Sequence, residues 1–560
     1  MTLNKDVFAV DPTGRTLPND GVTALDPPTT PEEWSVLKYE LEQFVAEGEY
    51  REGLRRVLNS YLGSVDKKTQ SACWVSGFYG SGKSHFLRVL TYLWTNPTIG
   101  GVSARSLVNC PDDVRDLLKD LDSFAKRDRT ITFAAAGVMR RGQNASVAQP
   151  LLEIFLGSAG LPTQYGPAKF ALWLREEGLW DGFLAALKSR GKTVDEVSRN
   201  LFVSSAIREA LLEVNPGWAS SVADAGQAIR ANYQVKDISD DMVVDTIKQV
   251  LEGIATQSEY GTKATMPLTL LVIDELQQYI SDDVQLLLEM QNIVERLTKQ
   301  FEGRLLVVAA GQSALTANEM LARFQDRFTV QVQLQSRDVE TVVRQVVLRK
   351  DPVRVPELDA ALTTVSGEIS RHLGGSKLAA RPADATDFIP DYPLLPTRRR
   401  FMESALRAVD RGAAGQLRSQ LRVTLEAVGD VAGQPLGNVV PGDVVFTAKK
   451  EDMLNQGVLL HELADRIAAV RDGSPESETR ARAVELVFLI SQLDDSDGVR
   501  PTIDTLADLM VTDLNAGSAS LRANLPGLLE PLVGSLLILD DHEYRLQSPT
   551  DAEWNRAFKE

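Results

Sequence analysis

The chain has 560 residues, 43% of them hydrophobic and 24% charged, the makeup of an ordinary globular protein of three or four domains. Its 60 basic and 77 acidic residues leave a formal charge of −17, which argues against a protein coated in nucleic acid, although a local basic patch is still compatible with DNA contact. Two cysteines (Cys73 and Cys110), four scattered histidines, a start without signal-peptide pattern and no apolar run of membrane-span length argue against a disulfide framework, an all-protein metal site, secretion and a membrane partner; the expected location is the cytoplasm.

Residues 1–29 are rich in proline, glycine and aspartate and read as an arm without its own core. Thr30-Pro31-Glu32-Glu33 is a T-x-x-E capping box with proline at the first helical position. It predicts a helix through Phe44, followed by a second through Leu62. Their apolar stripes, Leu37, Leu41, Phe44 and Val45, then Leu54, Val57, Leu58 and Leu62, suit packing against a neighbouring domain, leaving Glu40, Glu42 and Glu47 as a solvated face. This first segment is taken as 1–65.

The stretch WVSGFYGSGKSHFL, Trp74 to Leu87, carries the chemistry. Gly77, Gly82, Lys83 and Ser84 fit G-x-x-x-x-G-K-[ST] after a short apolar strand, Ala72 to Val75. Glycines let the backbone curl so that successive N–H groups face a phosphate, with Gly80 a further permissive position. Lys83 supplies a point charge for the β- and γ-phosphates, and Ser84 offers a hydroxyl to Mg²⁺. The helix from His85 to Trp94 turns its positive end to the anion, so Ser81 and His85 complete the candidate nucleotide-binding positions. ATP or GTP with Mg²⁺ is the ligand pair this loop fits.

A second β run, Thr130 to Ala136, ends the first part of the nucleotide domain, 66–140. From about Ser146 to Gln257 the pattern is helical; this insertion, 141–262, holds tryptophans that read, with Trp94, as core anchors (Trp173, Trp180, Trp218). Leu268 to Ile273 is then a continuous apolar strand ending in Asp274-Glu275, a Walker B element. Asp274 is expected to hold Mg²⁺ through water, and Glu275 to orient or activate the attacking water. A helix from about Asp283 to Phe301 leads to the strand Arg304 to Ala310, at whose end Gln312 is the candidate γ-phosphate sensor. Phe328 to Leu334 alternates as a fifth strand. Arg323 and Arg327 precede it; an arginine there is placed to reach a neighbouring subunit's γ-phosphate, and Arg327, abutting the strand, is preferred. This second part of the core is taken as 263–350.

The remainder reads as a helical lid (351–430), a linker (431–477), a winged helix (478–548) and a tail (549–560). Within the lid, Gly374 to Pro396 looks like a linker. Arg398-Arg399-Arg400 looks like a solvated helix start, with phosphate contact as the alternative. Arg418, with Arg422, is the candidate for a second nucleotide-sensing arginine. Three apolar helices and a hairpin make the winged helix; its recognition helix holds Arg522 as its one cation and its wing tip, Asp540-Asp541-His542-Glu543, is acidic, so strong duplex binding is not expected. The expected fold is therefore α/β: an ASCE, AAA+-like P-loop NTPase parallel sheet with a large helical insertion, a helical lid and a C-terminal winged-helix domain.

These residues, in order, resemble the large P-loop ATPases of BREX and phage growth limitation systems, the BrxC/PglY family. The resemblance runs through LPNDGV (from Leu17), YELEQFVAEGEY (from Tyr39), the Walker A stretch, LLVIDELQQYI (from Leu270) and AAGQSAL (from Ala309). It continues through GEISRHL (from Gly367), DYPLLPTRRRF (from Asp391), QLRSQLR (from Gln416), LADLMVTDL (from Leu506) and EYRLQ (from Glu543). It implies an ATPase of a multi-subunit anti-phage system, acting beside a DNA methyltransferase and other subunits. Members of that family continue past the winged helix, so the chain would correspond to their N-terminal ATPase portion, as a fragment or a short form. The motifs themselves support a homo-oligomer sharing ATP sites, with Glu275, Lys83, Gln312 and Arg327 as catalytic candidates. They leave open an ATP-gated assembly scaffold and an initiator-like DNA-binding ATPase.

Overall fold

The computed structural model describes residues 2–15, 23–77, 81–140, 146–281, 283–312, 324, 328–410 and 416–547, with the backbone alone described at 312, 336, 337 and 416–418. The chain forms two compact units: Val22–Asp338, and Met1–Gly21 together with Val339–Glu560.

The first unit is built on a five-stranded, all-parallel sheet. Its strands are β1 (Ala72–Gly77), β2 (Thr132–Val138), β3 (Leu268–Asp274), β4 (Leu305–Gln312) and β5 (Val330–Leu334), in spatial order β2-β3-β4-β1-β5. Every residue of β3 is buried, as a parallel strand covered on both faces requires. β1 lies between β4 and β5, and β4 separates it from β3. This is the additional-strand arrangement of P-loop NTPases. Register aligns Gly77 with Gln312 and Val138 with Asp274, so these carboxyl-end residues share one edge of the sheet.

Helix α1 (Pro31–Glu42) begins where its capping box dictates. Thr30 Oγ1 accepts from the Glu33 amide at 3.2 Å, and the Glu33 carboxylate accepts from the Thr30 amide at 3.1 Å. Helix α2 (Gly48–Leu62) buries Leu54, Val57 and Leu58. Helix α3 (Lys83–Thr95) follows the loop after β1, and Trp94 Nε1 donates to Leu268 O at 2.9 Å, fastening α3 to β3. Two helices follow β3, α4 (Leu276–Ile280) and α5 (Val284–Gln300); α5 buries Leu286, Leu287, Met290, Ile293, Val294 and Leu297 on one face and leaves Val284 and Leu288 exposed. Among the described residues between β2 and β3 run seven α-helices, from Ala148–Ser158 to Asp240–Gln257. They carry a second apolar cluster around Phe170, Phe183 and Ile229, against which Trp173, Trp180 and Trp218 pack half-buried. Trp94 is fully buried.

In the second unit the amino-terminal arm is part of the fold. Asn4 is buried and donates to Val431 O (3.0 Å) and Asn438 O (2.9 Å), while the Ala9 amide donates to Arg349 O. The arm read as lacking a core of its own thus finds, over the described residues 2–15, backbone partners far along the chain. The stretch from Gly374 to Pro396 is likewise no loose linker, since Asp391, Tyr392, Leu394 and Leu395 are buried in it. The interval 431–477 contains two helices, Val444–Asn455 and His461–Ala468. Helix α6 (Pro396–Val409) carries the three arginines, and none is a solvated start or a free phosphate contact. Arg398 is buried and donates to the carbonyls of Val440, Asp508 and Val511. Arg399 pairs with Asp391, Glu340 and Glu403, and Arg400 with Asp384. Three helices, α7 (Pro475–Gln492), α8 (Ile503–Met510) and α9 (Ala519–Leu529), precede the hairpin β6 (Leu537–Asp540) and β7 (Glu543–Leu546).

Candidate functional site

The described ends of the loop after β1 are shaped by Gly77 and Gly82 and bridged by Lys83. Gly82 has φ +80°, a left-handed conformation that favours glycine. A Cβ on Gly77 would come within 2.3 Å of Ser81 Oγ. Lys83 Nζ donates to Gly77 O at 3.1 Å, spanning the loop. Ser81 Oγ is buried and has no hydrogen-bond partner among the described residues, an orphan that a phosphate oxygen would satisfy. Desolvation pushes Lys83 below its ordinary value, while Asp274 and Glu275 pull it back up. Gly80 lies outside the described residues.

The carboxyl end of β3 meets this loop directly. Ser84 Oγ donates to Asp274 Oδ2 at 2.5 Å, across 190 positions of sequence. Two hard oxygen ligands thus stand together beside the phosphate loop, which fits Mg²⁺ held partly by protein and partly by phosphate and water. No cluster of three or more His, Cys, Asp or Glu side chains suited to a metal occurs among the described residues. The Glu275 amide donates to Asp274 Oδ1 at 2.8 Å, fixing the metal-side carboxylate. Glu275 itself sits at φ +53°, a left-handed backbone that costs a non-glycine residue about 1 kcal/mol or more. Its carboxyl is pushed up by desolvation and then by Asp274, and drawn down by Lys83 and Arg140. A raised carboxylate is a stronger proton acceptor.

Arg140 is a residue the sequence reading passed over. It lies two residues beyond β2, paired with Asp26 at 3.1 Å, and its charge reaches Glu275. The register of β2 on β3 brings it there, a long-range pairing with no local motif.

The remaining candidates are placed as follows. His85 turns its ring away from the loop: Nε2 lies 2.9 Å from Glu40 O, and the ring meets Phe44 edge-on at 5.4 Å. Because the acceptor is a carbonyl, the proton sits on Nε2, and desolvation holds the ring below its usual value. Its side chain is therefore engaged in a structural contact with α1 and the residues after it. Gln312 ends β4 opposite Gly77, with its side chain outside the described residues. The preceding Gly311 is fixed by packing, since a Cβ there would meet the Trp74 ring at 2.4 Å. Arg323 and Arg327 lie outside the described residues, as does the side chain of Arg418; Phe324 and Phe328, which flank Arg327, pack edge-on against Trp74. Arg422 is half-exposed, 3.7 Å from Asp452.

The strand order and the loop after β1 define an α/β P-loop NTPase fold. No protein-family model matches the chain. Among solved structures it is similar to the Aeropyrum pernix ORC1 protein in complex with DNA, at 13% identity over 91% of this chain and 92% of that chain, with a TM-score of 0.28. It is also similar to Drosophila ORC bound to DNA, at 13% identity over 95% of this chain and 94% of that one, with a TM-score of 0.27. The fold assignment stands on the sheet and the loop themselves. No helix among the described residues is long and apolar enough to cross a membrane.

Proposed function

We propose that this chain is an ATP-binding and ATP-hydrolysing, AAA+-like subunit that works as an oligomer. The observation that carries the reading is the Ser84–Asp274 contact at 2.5 Å, which joins Walker A to Walker B at the mouth of a glycine loop spanned by Lys83. Lys83 would bind the β- and γ-phosphates. Ser84 and Asp274 would hold Mg²⁺, which supplies charge neutralisation at the phosphates when bound. Glu275 would take the proton of the attacking water, its raised carboxyl suited to that step. Gln312 would sense the γ-phosphate, and Arg327 of a neighbouring copy would complete the site. The setting we propose is a BREX-type phage-defence complex with a DNA methyltransferase among its subunits; this part rests on the collinear sequence resemblance alone.

The test is phosphate release from ATP by wild type and Lys83→Ala, with mass measured with and without ATP. The reading expects turnover that Lys83→Ala abolishes and assembly that ATP promotes. Turnover no higher than the Lys83→Ala background, with ATP-dependent assembly intact, would leave a nucleotide-gated scaffold in its place. Turnover by a monomer that survives Arg327→Ala would remove the shared site.

A further inference from the structure

Helices α1 and α2 come before the phosphate loop in sequence and close on it in space. Tyr50 of α2 is 3% exposed, and its hydroxyl donates to Ser81 O at 2.7 Å, inside the loop. Its ring is set edge-on to Phe44 at 5.7 Å and tilted on Phe86 at 6.5 Å. Gly53, one turn further along α2, packs so closely that a Cβ would lie 2.7 Å from Val332 of β5. The hydroxyl therefore comes from a helix seated on the sheet.

We propose that Tyr50 is a positioning residue for phosphate binding, fixing the Ser81–Gly82 peptide so that the Gly82 amide is presented to the phosphates. The Ser81–Gly82 bond is trans, the one cis bond among the described residues being Tyr392–Pro393. In a trans peptide the carbonyl and the following N–H point in opposite directions. Drawing Ser81 O outward to Tyr50 thus aims the Gly82 N–H inward. Gly82 belongs to the same device: a Cβ there would lie 2.5 Å from Tyr50 Oη, so the hydroxyl can reach the loop only past a glycine. Glu40 and Phe44 of the α1 end hold His85, the next turn of α3, in the same way. The phosphate loop is preset from outside by groups that never touch the nucleotide.

This inference rests on the P-loop reading above, and the test separates the two. Tyr61 supplies a matched control, because it is also fully buried and donates its hydroxyl to a backbone carbonyl, Arg304 O at 3.0 Å, away from the loop. In the full chain, Tyr50→Phe raises the ATP Kd and KM about tenfold, the effect of freeing one buried carbonyl at the ligand, with kcat at saturating ATP changed less than about twofold. Tyr61→Phe and Tyr50→Phe lower the melting midpoint alike, but Tyr61→Phe leaves Kd and KM within about twofold of wild type. Equal Kd and KM for the two variants overturns the positioning role while Lys83→Ala still weakens binding. If Lys83→Ala binds ATP as wild type does, the P-loop reading falls and this inference with it.

Discussion

At the residue scale, chemistry here is governed by which polar atoms have partners and which lack them. Ser81 Oγ is buried without one among the described residues, Ser84 and Asp274 share one hydrogen, and Glu275 is held in a strained backbone beside them. The Walker residues were legible because phosphate binding constrains residue type at fixed local spacing. Tyr50 was not, because an aromatic in an amphipathic helix reads as core, and its acceptor lies 31 positions away. The two cysteines behave as small apolar side chains. Burial pushes Cys73 up to about 12 and Cys110 up to about 11, so neither presents a thiolate near neutral pH. A thiol reagent at about pH 8 is expected to label neither in the folded protein and both in denaturant. Rapid labelling of either in the native chain would contradict their placement.

Elements are joined by buried charges that no local pattern announces. Glu40 reads from sequence as part of a solvated face, yet it is 2% exposed and pairs with Arg88 of α3 at 2.8 Å, with Arg88 4% exposed. The pair fastens α1 to the phosphate-loop helix, and a single charged position in α1 could not reveal a partner from another helix. Removing one member leaves the other charge buried, a loss of about 3–5 kcal/mol. Glu40→Ala should therefore lower the denaturant midpoint sharply. An apolar exchange of both members, Glu40→Leu with Arg88→Met, should recover much of the loss. Equal midpoints for Glu40→Ala and wild type would show that the pair does not fasten α1. The triple arginine of α6 follows the same logic: the acceptors for Arg398 lie at Val440, Asp508 and Val511, so a sequence run that looks like a basic patch is an interior brace.

At the scale of the whole molecule, five parallel strands and their order were foreshadowed by apolar runs ending in polar residues. The assignment of residues 2–15 was not, because those residues pair with Ala432 and Gln434. The charge balance of −17 bears on partners. Arg522, the one cation of α9, is paired with Asp504 and Asp508 and is not presented outward as a free charge. Arg522→Ala is therefore expected to change duplex affinity by less than about twofold in an anisotropy titration at physiological salt; a tenfold loss would place DNA on this helix.

The central claim is that the Asp274–Glu275 end of β3 performs ATP hydrolysis on a phosphate held by the loop after β1. Phosphate release by Glu275→Gln at saturating Mg·ATP, with bound nucleotide measured in the same sample, tests it most directly. The account predicts release lowered at least about a hundredfold with ATP still bound. Release at the wild-type rate would contradict it.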